Sequence, residues 1–142
     1  MDDASGEYAG RYPLPAMQCD FVAEAQSNPV REKSFQFAIR VVELRRRLVA
    51  AHEYDISKQL MRSGTAVGAL VEEAIGAESR KDFLHKMSMA HKEARESHYW
   101  LRLLIATGLP AGHDVTGYLA HADELVCLLT AITKSVKDSI AT

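Results

Sequence analysis

From Pro29 onward, apolar residues recur every three or four positions, the period of an α-helix that buries one side. Four such stretches predict helices over residues 29–51, 57–77, 79–107 and 114–140. Little of this part of the chain alternates in the manner of a β-strand. Because short connections join antiparallel neighbours, the pattern predicts an all-α, up-down-up-down four-helix bundle.

The ends of these stretches carry residues that start or stop helices. Ser79 followed by Asp82 resembles a capping box before the third helix, and Asp114 is predicted to cap the fourth. Gly108 and Pro110 predict the end of the third helix, because glycine suits the position after a helix and proline cannot continue one. Residues 1–28 show no sustained period. We therefore expect an irregular N-terminal arm followed by a bundle domain over residues 29–142.

The first predicted helix has more apolar surface than a helix packed on one side needs. One stripe comprises Phe37, Val41, Leu44 and Leu48. A second stripe beside it comprises Phe35, Ala38, Ile39, Val42 and Val49. An apolar arc this wide is explained if it is buried twice, once inside the bundle and once against another subunit.

The third predicted helix shows the same excess. Its core stripe is predicted to be Phe83, Met87, Ala90, Ala94, Leu101 and Ile105. Other large apolar residues lie off this stripe, and Tyr99 and Trp100 are open to two interpretations, stacking on RNA bases or anchoring a subunit interface. The residues predicted to form an oligomer interface are Phe35, Ile39, Val42, Met89, Trp100 and Leu104.

Two glycines in the second helix indicate a close approach between helices. An interior glycine costs a helix about 1 kcal/mol relative to alanine, so Gly64 and Gly68 need a packing reason. A hairpin of the second and third helices predicts that they face the small residues Ala90 and Ala94. The fourth helix carries an a/d seam, the pattern of bundles and coiled coils. This seam comprises Tyr118, Ala122, Leu125, Leu129, Ile132 and Val136.

The composition narrows the class of protein. A length of 142 residues, of which 47% are apolar and 25% charged, fits one globular domain. No apolar run is long enough to span a bilayer, and the N-terminus has no secretory-signal pattern, so we expect neither a membrane anchor nor export. Two cysteines, Cys19 and Cys127, do not make a disulfide framework, which favours a cytoplasmic location.

Charge is distributed in blocks, although the net charge of the chain is only −2. The blocks at residues 29–52 and 79–108 are basic, and each is followed by an acidic block. Either antiparallel neighbours complement each other along solvated faces, or the basic blocks form a surface for a polyanion, which cyclic assembly would multiply into a ring. The candidate nucleic-acid contacts are Arg40, Arg45, Arg46 and Arg47.

A charged segment in the middle of the third helix is interpreted as a polar network between helices. Glu93 is predicted to lie level with Arg62 of the second helix, and Lys92 and Glu96 are spaced to pair along the third. Such a network at a helix interface can fix the register of the helices.

Catalytic motifs are weak in this sequence. A di-iron bundle needs Glu-x-x-His pairs, and the sequence contains none. His91 and His98 share one side of a helix and are open to two interpretations, a metal site or ordinary interface histidines. Cys127 is interpreted as a packed side chain, and Ser63 and Thr65 lack a nucleophile-elbow turn. We therefore predict no enzyme activity, no metal site and no cofactor.

Several motifs resemble one known family. Residues 62–68 (RSGTAVG), 79–87 (SRKDFLHKM), 90–97 (AHKEARES) and 99–104 (YWLRLL) resemble the bacterial four-helix-bundle family that includes proteins encoded within intervening sequences of 23S ribosomal RNA genes. The accessory variability determinant of diversity-generating retroelements is a relative. The resemblance covers about residues 33–137.

The resemblance implies an antiparallel bundle that assembles into a homopentameric barrel, and it implies no catalysis. For the retroelement relative it implies a strongly basic surface that binds a reverse transcriptase and nucleic acid, from which this slightly acidic chain departs. Our hypothesis is a non-enzymatic homo-oligomeric scaffold that presents a surface to a protein or RNA partner. The alternative is a nucleic-acid-binding accessory protein that uses a ring of basic patches.

Overall fold

The computed structural model describes residues 28–112 and 114–142. They form four helices, α1 (Pro29–Ala50), α2 (Asp55–Ile75), α3 (Arg80–Ala106) and α4 (Thr116–Ala141). Within these two ranges no residue lies in a β-strand. Of the predicted N-terminal arm, residues 1–27 lie outside the described part of the chain. The predicted all-α fold is confirmed.

The helices run up, down, up and down. Each packs on the next along the chain, and α1 also packs on α4, so that the four close into a bundle. Arg31 at the start of α1 pairs with Glu72 at the end of α2, and Lys33 pairs with Glu124 of α4. Further along α1, Arg40 lies over the Tyr118 ring, so the residue numbers of the partners on α4 fall as those on α1 rise, which is what antiparallel packing requires.

Polar side chains fix the helix starts. The Asn28 side chain accepts a hydrogen bond from the Arg31 amide at 3.4 Å, and the Ser79 hydroxyl accepts one from the Asp82 amide at 3.0 Å. Asp114 lies one residue outside the cap position of α4 and accepts from the Thr116 amide at 2.9 Å. Helix α2 begins two residues earlier than predicted, because a side chain before the predicted start accepts hydrogen bonds from its first backbone amides. This is the Glu53 carboxylate, which accepts from the amides of Ile56 and Ser57 at 2.9 and 2.8 Å.

The core confirms the inner stripe of α1 and the first part of the α4 seam, and it corrects the α3 stripe. The inner stripe of α1 is fully buried, and the first four residues of the α4 seam are buried. In α3, however, Leu104 is fully buried and Ile105 is 38% exposed, the reverse of the prediction. The polar residue Ser97 also belongs to the buried side. Because an α-helix has 3.6 residues per turn, the side chains of Ala94, Ser97, Leu101 and Leu104 lie on one side of α3. Ile105 follows Leu104 directly and is rotated away from that side.

The two glycines of α2 face α1, so the prediction that they face Ala90 and Ala94 of α3 is wrong. A Cβ atom on Gly64 would lie 2.8 Å from a methyl group of Val41, and one on Gly68 would lie 3.3 Å from the Ser34 carbonyl oxygen. The close approach that the glycines indicated does exist, but between α2 and α1. On the α3 side, Ser63 lies level with Ser97, and their hydroxyl oxygens are 2.9 Å apart in the core.

Candidate interaction surfaces

The second apolar stripe of α1 is not covered by the rest of the described bundle. Phe35 is 66% exposed and Val49 is 38% exposed, while Ile39 and Val42 are partly buried. Phe37, two residues from Phe35, is completely buried. We call Phe35, Ile39, Val42 and Val49 the α1 outer face.

Helix α3 also carries apolar residues on its outside. Met89 is 36% exposed, and Trp100 is partly buried with its indole nitrogen bonded to Glu96. We call Met89 and Trp100 the α3 outer face. Leu104 was predicted to join this interface, and that prediction is wrong because the side chain is fully buried in the core of its own bundle.

The two outer faces belong to helices at opposite corners of the bundle. Helices α1 and α3 are each flanked by α2 and α4. They pack on these two neighbours and not to any similar extent on each other. One copy therefore presents two separate apolar faces.

A polar cluster joins α2 to α3 beside the α3 outer face. The Arg62 guanidinium donates to the Glu96 carboxylate and lies 3.7 Å from Glu93, while the Trp100 indole donates to Glu96 at 3.3 Å. Three of the four predicted network residues thus come together. Lys92 is exposed and makes no ion pair within the described ranges, so the predicted Lys92 contact with Glu96 does not form.

The two carboxyl groups of this cluster differ in pKa. Burial, followed by the negative charge of Glu96, raises the pKa of Glu93. Burial also acts to raise the pKa of Glu96, but the hydrogen bonds from Arg62 and Trp100 outweigh it and hold that pKa below its usual value. One oxygen of Glu93 is buried and has no hydrogen-bond partner in the described part of the chain. A neutral Glu93 therefore suits this site better than an ionised one.

Glu93→Gln is expected to stabilise the bundle at neutral pH by up to about 1 kcal/mol, because an amide can donate to Glu96 as a protonated carboxyl does. Since the folded-state pKa of Glu93 is raised, its stabilising contribution is complete below the unfolded pKa and is lost as pH rises through the folded pKa. Urea unfolding of both proteins between about pH 4 and pH 8 measures the difference, which should vanish at the acid end.

The matched control is Glu73→Gln, which neutralises another carboxylate at the α2–α3 boundary. Glu73 is exposed and lies 3.4 Å from Lys86, so its removal is expected to change stability by less than about 0.5 kcal/mol. A Glu93→Gln gain that is equal at both ends of the pH range would contradict the assignment.

The four candidate arginines of α1 do not form one free patch. Arg40 is partly buried, its guanidinium lies 4.5 Å from the centre of the Tyr118 ring, and it is 3.2 Å from His121. Arg45 is partly buried, whereas Arg46 and Arg47 are exposed. Because consecutive residues of a helix point about 100° apart, the last three arginines diverge. Through its contacts with Tyr118 and His121, Arg40 contributes to the packing of α4 on α1.

The histidines of the described bundle mostly bind neighbouring helices. His98 lies 2.7 Å from Asp123 of α4, and His91 lies 2.9 Å from the Thr130 hydroxyl. Burial, with Arg40 close by, lowers the pKa of His121. Across residues 28–112 and 114–142, no three side chains among His, Cys, Asp and Glu are grouped closely enough to hold a metal ion.

The four helices differ from membrane-spanning segments. None of them, over the ranges that the structure describes, combines the length and apolar character needed to cross a bilayer.

Fold and surfaces together define an antiparallel four-helix bundle with two apolar faces that its described part does not cover. The profile of the 23S rRNA-intervening sequence protein family matches residues 26–131, most of the chain. The chain belongs to this family.

A solved structure supports both the family and the fold. The crystal structure of a protein with unknown function from the S23 ribosomal protein family of Bacteroides thetaiotaomicron is 42% identical, with a TM-score of 0.71. The match covers 74% of this chain and 98% of that one. A comparison with curated proteins finds no match.

Proposed function

We propose that this protein is a non-enzymatic scaffold that assembles with copies of itself into a closed ring and presents a surface to a protein or RNA partner. The number of copies in the proposal is five, as the family resemblance implies. The observation that carries the proposal is the α1 outer face, where Phe35 is 66% exposed.

The positions of the two outer faces favour one kind of assembly. If the α1 outer face of one copy packs on the α3 outer face of the next, each copy uses two different surfaces, and the contact is heterologous. Heterologous contacts close into rings when the rotation between copies permits it, whereas a contact of one face with itself stops at a dimer. Two apolar faces at opposite corners supply both halves of a ring contact.

The proposal also includes a cytoplasmic location and kinship with the accessory variability determinant of diversity-generating retroelements. The four α1 arginines support no second function, because Arg40 is engaged by Tyr118 and His121.

A face-complementation experiment tests the heterologous contact. Phe35→Asp places a charge on the α1 outer face and leaves the α3 outer face intact, and Met89→Asp does the reverse. Each variant alone is expected to be monomeric, because every contact needs one face of each kind. An equimolar mixture retains one intact contact and is expected to form a two-chain complex, measured by native mass spectrometry.

Two results would contradict this arrangement. Dimers of Met89→Asp alone would show that the α1 outer face pairs with itself. A mixture that stays monomeric, while the unmodified chain assembles, would show that other surfaces hold the assembly together. Both positions are exposed, so the helical circular dichroism of each variant should match that of the unmodified chain and serves as the folding control.

A further inference from the structure

Helix α3 carries a polar stripe along its whole length that the polar cluster does not use. Seven residues follow one another at alternating steps of four and three, the spacing that keeps side chains on one line of a helix. They are Lys81, His85, Ser88, Lys92, Arg95, Tyr99 and Arg102. Six of the seven are exposed, Ser88 is partly buried, and none is acidic. We call this set the α3 basic stripe.

The cations of the stripe are not neutralised by the bundle. Among residues that the structure describes, Lys81, Lys92, Arg95 and Arg102 form no ion pair. Glu96 of α3 is four positions after Lys92, but its carboxylate accepts hydrogen bonds from Arg62 and Trp100 and not from the stripe. Within the described part of the bundle, these four exposed cations therefore have no ion-pair partner, and they make the local potential positive.

The basic surface continues from α3 onto α4. Lys134 and Lys137 of α4 are exposed and, like the stripe cations, have no ion pair in the described part of the bundle. Burial lowers the pKa of His91 between the two helices, and the charges of Arg95 and Lys137 lower it further. These two cations, one from each helix, therefore lie near the same histidine and make the local potential positive.

The length and the aromatic content of the stripe distinguish possible partners. From Lys81 to Arg102 the helix rises about 32 Å, close to one turn of a nucleic-acid duplex. Tyr99 is 48% exposed between Arg95 and Arg102 in the stripe. Cations that follow a backbone, combined with an exposed aromatic ring, are the elements of single-strand and loop recognition, in which bases stack on aromatic side chains.

We propose that the α3 basic stripe binds the phosphate backbone of an RNA stem-loop, with Tyr99 stacking on an unpaired base. This inference deepens the proposed function, because it names the chemistry of the partner. It rests on the proposed function in one respect, which is that a ring would present several stripes together. The binding surface itself is complete in one copy. Acidic proteins and anionic membranes are the competing partners.

Binding is measured by fluorescence anisotropy of a labelled RNA stem-loop with the full chain, from about 50 to about 200 mM salt. The stripe variant carries four substitutions, Lys81→Gln, Lys92→Gln, Arg95→Gln and Arg102→Gln. It is expected to bind at least about tenfold more weakly at the low salt concentration. The slope of log affinity against log salt should fall by about 3–4, since each phosphate contact contributes about one.

A control variant removes the same number of positive charges elsewhere. It carries Arg45→Gln, Arg46→Gln, Arg47→Gln and Lys58→Gln, and it is expected to lose less than about threefold in affinity. Tyr99→Phe should bind as the unmodified chain does, whereas Tyr99→Ala should bind more weakly because stacking is lost. The stripe positions substituted are exposed, and unchanged helical circular dichroism confirms that each variant is folded.

Three results would overturn the proposal. They are absence of RNA binding at the low salt concentration, an equal loss in the stripe and control variants, and equal or tighter stripe-dependent binding of poly-glutamate or phosphatidylserine vesicles. The Phe35→Asp copy separates this inference from assembly. Stripe-dependent RNA binding by that monomer supports the inference even if the unmodified chain does not form a ring. If the unmodified chain forms a ring that does not bind RNA, this inference is refuted and the proposed assembly is not.

Discussion

Phe37→Ala is expected to lower the free energy of unfolding by about 3–5 kcal/mol, the cost of emptying a buried aromatic site. Phe37 is completely buried, and its ring packs edge-on against His121 with centroids 5.4 Å apart. The substitution therefore removes contacts from the interface of α1 with α4. Urea unfolding followed by circular dichroism measures the loss.

The control for this prediction is Phe35→Ala on the same helix. Phe35 is 66% exposed, so its truncation is expected to cost the single bundle less than about 0.5 kcal/mol. Any further loss should depend on protein concentration, because it arises through assembly. Equal losses for the two variants, independent of concentration, would mean that both rings are buried in one copy and that the α1 outer face does not exist.

Gly64→Ala is expected to destabilise the bundle by about 1–2 kcal/mol, although alanine is the better helix former by about 1 kcal/mol. The new Cβ would lie 2.8 and 2.9 Å from the two Val41 methyl groups. Val41 is fully buried and its branched side chain has little freedom to rotate, so the helices must move apart. Gly76→Ala, whose Cβ has no neighbour closer than 3.8 Å, is the control and should be nearly neutral.

A second substitution tests the cause of this loss. Val41→Ala makes room for the new Cβ, so the double variant is expected to be about 1 kcal/mol more stable than the sum of the two single losses predicts. Additive losses would show that the Gly64 contact with Val41 does not limit the approach of α1 to α2.

Local signals were sufficient to predict the helices and most of the core. Apolar spacing placed the inner stripe of α1, and the Ser79 cap and the Gly108 stop lie where the sequence indicates, with Gly108 at a φ of 70°. The rotated stripe of α3 came from a choice between adjacent apolar residues, Leu104 and Ile105. Hydrophobicity alone cannot decide such a choice, and the buried Ser97 between them and Ala94 was invisible to an apolar pattern.

The predicted contacts between helices were wrong where the partner residue is distant in sequence. Nothing in the sequence near Gly64 specifies that α1 rather than α3 closes over it, because the choice depends on how three helices pack. Arg40 looked like a free cation of a polar side, but its ring partner Tyr118 lies on the last helix. The Glu53 cap was missed because its carboxylate precedes the apolar pattern by several residues.

The α3 basic stripe could have been found in the sequence, because its four-three spacing is local. It was missed because its members were divided among other hypotheses. The sequence places Lys92 in the polar network and offers Tyr99 together with Trp100, and the two rings do pack edge-on with centroids 5.0 Å apart. The two residues differ in exposure, since the Tyr99 side chain is 48% exposed, whereas Trp100 is partly buried and its indole binds Glu96.

The α1 and α3 outer faces and the α3 basic stripe give the bundle two kinds of surface. The outer faces are apolar and belong to opposite corners, while the stripe is polar and cationic. A ring held together by the outer faces would present one stripe per copy, and repeated weak phosphate contacts become strong when they are linked.

The mass of the unmodified full chain in solution tests the central claim most directly. Sedimentation velocity at micromolar concentration is expected to show one species of five times the 15.7 kDa chain mass, because the two apolar faces of each copy are covered by its neighbours. A single species of 15.7 kDa under the same conditions would contradict the account, since Phe35 and Met89 would then remain in water.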